Sequence, residues 1–244
     1  MEKQEKSMQA ITFLKELEKF PNPVISLNDV AKIISKNKVY TRVYIHRLKS
    51  KNLLQKIERG KYALSDDPFE IGSSLVFPSY ISFISAYAFY GLTTQIPTTI
   101  HVVSPRSKNP IILENTKIVF VSFKMKRIFG YRKKRVREKE GFIADPEKAI
   151  IDSLYLPQYC PSSETYEALK SDDLKETLLI EYALKMDSIV VLKRLGYLLE
   201  IQGKDIHPHI KHKLNARYDK LNPLLEKGIK SSTKWKLNIN EEFA

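Results

Sequence analysis

The residues that could carry metal-dependent chemistry cluster in one short segment. Asp145, Glu147 and Asp152, with Lys148 among them, are the residue types of a metal-dependent nuclease, in which carboxylates converge on a cation near a lysine. Asp145 followed by Pro146 is also typical of a helix start, where acids interact favourably with the helix dipole. Lys148 and Asp152 have the i, i+4 spacing of an ion pair. We therefore interpret these residues as structural, with partner contact as the alternative, and expect no enzymatic activity.

A second group with metal-ligand residue types lies near the C-terminus. His207, His209 and His212 follow Asp205, but no cysteine pair accompanies them as it does in structural zinc sites. We interpret them as a solvated surface cluster. Cys160 has no neighbouring base that would activate it as a nucleophile, and no glycine-rich phosphate loop is present. The sequence therefore predicts no metal and no cofactor.

Composition and charge narrow the class of protein. The chain has 244 residues, of which 43% are hydrophobic and 28% charged, as in an ordinary globular protein. Its one cysteine excludes an internal disulfide. The apolar stretches are shorter than a membrane span, and the charged residues 1–6 lead into an amphipathic helix rather than an apolar signal core. We expect a cytoplasmic protein without membrane contact.

The net charge of +13 is concentrated in two blocks. In the first, residues 36–61, Glu58 is the one acid. The second, residues 124–140, contains Glu138 and Glu140 as its acids, whereas acids outnumber bases over residues 164–187. Uniform lysine enrichment would not give this separation, so the blocks favour a polyanion-binding protein. The basic residues of the two blocks are Lys36, Lys38, Arg42, Arg47, Lys49, Lys51, Lys56, Arg59, Lys61, Lys124, Lys126, Arg127, Arg132, Lys133, Lys134, Arg135, Arg137 and Lys139.

The first block lies in a predicted winged helix-turn-helix domain spanning residues 1–66. Apolar spacing predicts helices over residues 7–20 and 27–34 and a third ending near residue 51. Ser26 is the expected N-cap of the second helix, and Asn52 suits the end of the third. The segments 53–58 and 61–64, joined by Arg59-Gly60, predict a β-hairpin. The predicted core consists of Ile11, Leu14, Val30, Ile34, Ile45, Leu48 and Leu64.

In such a domain the third helix enters the DNA major groove and the hairpin contacts the backbone. Protein binding through the same domain is the alternative. The predicted DNA-binding residues of the third helix and hairpin are Lys38, Tyr40, Thr41, Arg42, Arg47, Arg59 and Lys61. In the second block we select Arg132, Lys133, Lys134 and Arg135, which could contact DNA phosphates, dock an acidic partner, or form a solvated sheet face.

Residues 67–244 are predicted to form a larger mixed α+β domain after the boundary at Asp67-Pro68. Strands are expected over residues 98–104, 117–123, 127–137, 141–144 and 234–240. Helices are expected over residues 69–75, 79–90, 145–156 and, with apolar stripes, from 163 to about 199. The expected fold class of the whole chain is therefore α+β.

Several segments, in order and spacing, resemble the AbiEi-type antitoxins, the transcriptional regulators of type IV toxin–antitoxin pairs. The most specific are Gly91-Leu92-Thr93-Thr94-Gln95-Ile96-Pro97 and Ala144-Asp145-Pro146-Glu147-Lys148-Ala149, with Lys193-Arg194-Leu195-Gly196-Tyr197 and Trp235-Lys236-Leu237 further along. The resemblance covers nearly the whole chain. One departure is Tyr90, where the family pattern has a histidine before the glycine.

The resemblance implies a repressor that binds its own operator, a double-stranded DNA, through the N-terminal domain. It also implies that the C-terminal domain neutralises a partner toxin resembling a nucleotidyltransferase. Two alternatives stay open: a stand-alone winged-helix transcription or chromatin factor without a toxin, and a nucleic-acid-processing enzyme that uses the winged helix to dock.

Overall fold

The computed structural model describes residues 10–20, 22–113, 115–136 and 139–243. Residues 7–9 of the predicted first helix and Arg137 of the second basic block lie outside this range. The described chain mixes helices and strands, which confirms the α+β class. No helix within it combines the length and the apolar composition that crossing a membrane requires.

Three helices and three short strands form the N-terminal part. They are α1 (Ala10–Glu18), β1 (Val24–Ser26), α2 (Leu27–Ile34), α3 (Lys38–Ser50), β2 (Gln55–Glu58) and β3 (Lys61–Ala63). The predicted bounds of α2 are confirmed, because a capping box fixes its start. The Asp29 amide donates to Ser26 Oγ at 3.2 Å, and the Ser26 amide donates to Asp29 Oδ2 at 2.8 Å. Ser35, in the left-handed conformation at φ 53°, ends it.

The predicted hairpin is confirmed and belongs to a three-stranded antiparallel sheet in the order β1-β3-β2. Gly60 turns the hairpin at φ 77°, a conformation that favours glycine. Strand β1 was not expected from the sequence. It pairs with β3 in the register Val24–Ala63, so the chain between α1 and α2 completes the sheet.

The core of the N-terminal part differs from the predicted one at two positions. Ile11 is 68% exposed and Leu64 is 37% exposed, so placing them in the core was wrong. Phe13 and Leu17 fill the α1 face instead, and Phe13 packs edge-on against Tyr44 at 5.3 Å between ring centroids. In β3 the buried residue is Ala63, one position earlier than expected, and a shift of one residue reverses the face of a strand.

A mixed six-stranded sheet forms the centre of the remaining chain, in the order β6-β7-β5-β4-β9-β8. In chain order, the strands of this sheet and the two helices that accompany them are α4 (Pro68–Gly72), β4 (Tyr80–Ile81), α5 (Phe83–Tyr90), β5 (Thr99–Ser104), β6 (Ile111–Leu113), β7 (Thr116–Ser122), β8 (Tyr131–Val136) and β9 (Lys139–Ala144). Strands β5 and β7 run parallel, whereas β8 and β9 form an antiparallel pair at one edge.

The helix predicted over residues 79–90 starts later than expected. Tyr80 pairs with Val103 of β5, so this segment is a strand and α5 begins at Phe83. Ser79, the expected cap, instead donates its hydroxyl to the carbonyl of Val76 at 2.6 Å. The predicted end is confirmed: Gly91 adopts the left-handed conformation at φ 70°.

Helices cover the rest of the chain, followed by a small three-stranded sheet in the order β10-β12-β11. The elements are α6 (Pro146–Tyr155), α7 (Ser162–Ala168), α8 (Glu176–Lys185), α9 (Ile189–Glu200), α10 (His207–Ile210), β10 (Asp219–Lys220), β11 (Lys230–Ser232) and β12 (Leu237–Ile239). The helical run expected from residue 163 is therefore broken twice, the second time at Asp187, where φ is 51°. The strand expected over residues 234–240 is confirmed in its second half.

The hairpin of the N-terminal part packs against the larger part of the chain. Val24, Ile57 and Ala63 belong to the same buried cluster as the six-stranded sheet, whereas Phe13, Val30 and their neighbours form a separate cluster beneath α1–α3. Contacts therefore cross the predicted domain boundary at residues 66–67.

Candidate nucleic-acid interface

Helix α3 is held with one face inward and the other exposed. Asn37 caps its first turn by accepting the Tyr40 amide at 2.9 Å. Thr41, Tyr44, Ile45 and Leu48 form its buried stripe. At 3.6 residues per turn, the positions opposite this stripe are those of Val39, Val43, His46 and Ser50.

The outward face of α3 carries apolar side chains flanked by arginines. Val39 is 70% exposed and Val43 is 47% exposed, so the centre of this face is apolar. Arg42 lies on one flank and Arg47 on the other, both exposed, and the helix contains no acid. Charge predicts the two arginines from the sequence, whereas the two valines were not predicted. Their spacing relative to the buried stripe would have identified them.

Two other residues predicted to contact DNA from α3 are less exposed than the arginines. Thr41 is fully buried, and its hydroxyl donates to the Asn37 carbonyl at 2.8 Å, so its selection as a DNA contact was wrong. Tyr40 is half-buried and stacks on Tyr44, with 6.4 Å between ring centroids. Lys38, the first residue of the helix, is exposed.

At the hairpin, Arg59 and Lys61 have different surroundings. Arg59 is exposed at the tip. The Lys61 ammonium donates to the Leu75 carbonyl at 2.9 Å and lies 3.0 Å from Glu58 Oε1. Lys61 therefore fastens the hairpin to the larger part of the chain, and Arg59 is the exposed one of these two basic residues.

The single acid of the first basic block is neutralised by two lysines. Glu58 forms ion pairs with Lys61 and with Lys108, which lies in the connection between β5 and β6. Burial alone would raise the pKa of Glu58, but the hydrogen bonds and charges of the two lysines outweigh it and lower that pKa below 4.5. The carboxylate therefore stays ionised, and the two cations beside it outnumber it.

The four residues selected in the second basic block alternate between the two faces of the edge strand β8. Arg132 pairs with the buried Asp145, whose other carboxylate oxygen accepts the Tyr182 hydroxyl at 3.0 Å. Lys134 is half-buried, with its ammonium 5.1 Å from the centre of the Tyr90 ring. Lys133 and Arg135 are exposed and, by the period of two of a strand, share the other face.

Strand β8 and the β5–β6 loop lie toward opposite edges of the six-stranded sheet. Strand β8 is at one edge, whereas the loop that contacts Glu58 leads from β5 to β6 at the opposite edge. With neighbouring strands about 4.8 Å apart, the two edges are separated by roughly 24 Å. The β5–β6 loop and the basic strand β8 therefore belong to different edges of the sheet.

The carboxylates that could have indicated a nuclease form structural contacts. Lys148 and Asp152 are fully buried and pair with each other, and Asp152 also accepts the Ser82 hydroxyl at 2.7 Å. Burial lowers the pKa of Lys148 and raises that of Asp152. Asp145 is the N-cap residue of α6, as the sequence predicts, but its carboxylate binds Arg132 and Tyr182 rather than the amides of the first turn.

His207 and Cys160, two further residues with potentially reactive side chains, also lie in structural surroundings. His207 packs edge-on against Trp235, with 5.2 Å between ring centroids, and its backbone amide donates to Asp205. Across the described residues, histidine, cysteine and carboxylate side chains form no cluster of three that could hold a metal ion. Cys160 is buried, and burial raises the pKa of its thiol to about 11, which opposes a nucleophilic role.

No protein-family model and no curated protein matches this chain. Among solved structures, the fold is similar to that of the RV2827C protein from Mycobacterium tuberculosis, with a TM-score of 0.62 and 14% sequence identity. The match covers 95% of this chain and 92% of that one. At such identity the likeness shows a shared α+β fold over nearly the whole length.

Proposed function

We propose that the chain is a sequence-specific DNA-binding repressor whose residues 1–66 form a winged helix-turn-helix domain. In this assignment α2 and α3 are the helix-turn-helix, α3 enters the major groove, and the β2–β3 hairpin is the wing. The observation that carries the proposal is the acid-free outward face of α3, where exposed Val39 and Val43 lie between Arg42 and Arg47.

This face has the chemistry that base edges require. Arginine donates two hydrogen bonds to guanine, and an apolar side chain contacts the methyl group of thymine. Val39 and Val43 would contact thymine methyl groups that line the groove. Arg59 at the wing tip would contact phosphate and set the position of the helix.

We extend the proposal to a cytoplasmic, non-enzymatic antitoxin of a type IV pair, in which residues 67–244 neutralise a nucleotidyltransferase-like toxin. This step rests on the family resemblance. Its most specific segment is a rigid loop: Thr93 donates to Glu164 at 2.6 Å and the Gln95 side chain donates to the same carboxylate at 2.7 Å. The loop presents Ile96 at 93% exposure, and we assign partner contact to this side chain.

A gel shift on DNA upstream of the gene, with excess competitor DNA, tests the repressor assignment. We expect a shift that survives competitor at near-physiological salt, since specific binding exceeds non-specific binding by about 10³-fold or more. Equal loss of the shift to specific and random competitor would contradict sequence-specific binding.

Co-expression with the neighbouring toxin-like gene tests the antitoxin assignment. The wild-type chain should restore growth, and Ile96→Asp should abolish the rescue while leaving the gel shift intact. Ile229→Asp changes another fully exposed isoleucine and serves as the matched control. Absence of any neighbouring nucleotidyltransferase-like gene, together with intact operator binding, would favour the stand-alone factor.

A further inference from the structure

The Glu58–Lys108 ion pair joins the wing to a loop 50 residues further along the chain. This loop, Pro105–Pro110, connects β5 to β6 and has the sequence Pro-Arg-Ser-Lys-Asn-Pro. Lys61 adds a hydrogen bond from the same hairpin to the Leu75 carbonyl. The hairpin is therefore attached to the loop through Glu58 and to the segment between α4 and β4 through Lys61.

Apolar packing also holds the hairpin against the six-stranded sheet. Ile57 of β2 and Ala63 of β3 are buried in the core of the six-stranded sheet, from which the loop emerges. The loop is also braced internally, because the Ser104 hydroxyl donates to the Arg106 carbonyl at 2.7 Å. Wing and loop therefore form parts of one surface rather than of two bodies that move independently.

The composition of the loop suits a polyanion. Arg106, Ser107 and Asn109 are exposed, and each carries a hydrogen-bond donor. The loop contains no acid, and the carboxylate that it contacts, Glu58, is already neutralised by Lys108 and Lys61. An open recess of about 610 Å³ lies between Glu58 and the loop, lined also by Ile111.

We propose that the Pro105–Pro110 loop is a second DNA-backbone contact beside the wing, with Arg106 as its phosphate-binding side chain. Arg59 follows Glu58 at the hairpin turn, and Arg106 is two residues from Lys108, so the ion pair brings the two segments that carry these arginines together. The DNA footprint then extends from the wing onto the larger part of the chain. This inference rests on the proposed DNA-binding function and adds an element that the basic blocks of the sequence did not indicate.

The test is the salt dependence of operator binding by the full chain carrying Arg106→Gln. Each neutralised phosphate contributes about 0.9 to the slope of log affinity against log salt. We expect Arg106→Gln to flatten the slope by about 0.9, so its affinity deficit shrinks by about 3.5-fold when salt is raised fourfold. The ratio of operator to random-DNA affinity should stay unchanged, because a phosphate contact carries no sequence information.

The matched control is Arg217→Gln, which removes the same charge from an exposed arginine whose nearest acid is Asp219. It should leave the slope unchanged. If Arg106→Gln also leaves the slope unchanged while Arg42→Ala with Arg47→Ala weakens binding, the loop contact is overturned and the repressor assignment stands. If the wild-type chain shows no specific binding, both are overturned.

Discussion

Gly196 lies against the indole of Trp235, although the two residues belong to segments that are far apart in the sequence. A Cβ atom added to Gly196 would be 2.1 Å from Cζ3 of the Trp235 ring, which is fully buried. The indole Nε1 donates to Glu200 one turn further along α9 at 2.5 Å. Two segments on which the family resemblance rests, Lys193–Tyr197 and Trp235–Leu237, are therefore structural partners that attach the last sheet to α9.

Gly196→Ala should destabilise the protein strongly, because the new methyl group overlaps a ring that cannot move out of its buried position. Overpacking of this kind costs about 3 kcal/mol of unfolding free energy. Gly203→Ala is the control: nothing lies within 4 Å of its added Cβ, and only its φ of 83° opposes the change. We expect a cost of about 1 kcal/mol there. Equal losses for the two variants in urea denaturation would contradict the contact.

Arg42→Ala and Arg47→Ala should each weaken operator binding by about 1–3 kcal/mol if the guanidinium contacts a base edge. A smaller, sequence-independent loss would indicate phosphate contact. Gel shifts on operator and random DNA distinguish the two. The double variant Lys204→Ala, Lys211→Ala removes the same charge from exposed positions near α10 and should leave affinity for the operator unchanged. Unaltered binding by a folded Arg42→Ala, Arg47→Ala protein would refute DNA recognition by α3.

The exposed valines of α3 give a prediction at the level of single methyl groups. Replacing thymine by uracil removes only the C5-methyl, and at a contacted position this should cost about 0.8 kcal/mol, roughly fourfold in affinity. Val43→Ala or Val39→Ala should abolish the penalty at the base that each side chain contacts. Val119→Ala, on a strand of the large sheet, is the control and should keep it. A uracil scan without any sensitive position would show that the valines do not contact thymine.

Neighbouring residues predict most of the N-terminal helices and strands. The features that were not predicted depend on contacts between residues that are far apart in the sequence. The start of α2 follows from the nearby residues Ser26 and Asp29, and the hairpin turn from Gly60. Tyr80 became a strand residue because β5 and β9 lie on either side of it, which helical spacing cannot reveal. The candidate site divides in the same way. Arg42 and Arg47 were predicted by charge, but the attachment of Lys61 to Leu75 depends on a contact across the chain.

The basic edge strand β8 should contribute to affinity without contributing to specificity. Lys133→Gln, Lys134→Gln and Arg135→Gln together should flatten the salt slope of operator binding, by about 0.9 for each phosphate that is no longer contacted. Because Lys134 packs on the Tyr90 ring, we expect it to contribute less than the exposed Arg135. Single variants measured over a salt series resolve this. An unchanged slope for the triple variant would assign β8 to another partner.

The ion pairs of Glu58 predict a pH-dependent link between the wing and the β5–β6 loop. Because the pKa of Glu58 is lower in the folded than in the unfolded protein, its stabilising effect is complete above about pH 4.5 and is lost as pH falls through the folded pKa. Glu58→Gln should therefore reduce the free energy of unfolding at pH 7, and the difference from wild type should shrink on acidification. In a Lys108→Met background the same substitution should cost less at pH 7, since one of the two partners is already absent. Urea denaturation of the four proteins between pH 7 and pH 3.5 measures both effects. A difference that does not change with pH would mean that the lysines do not stabilise the charged form of Glu58.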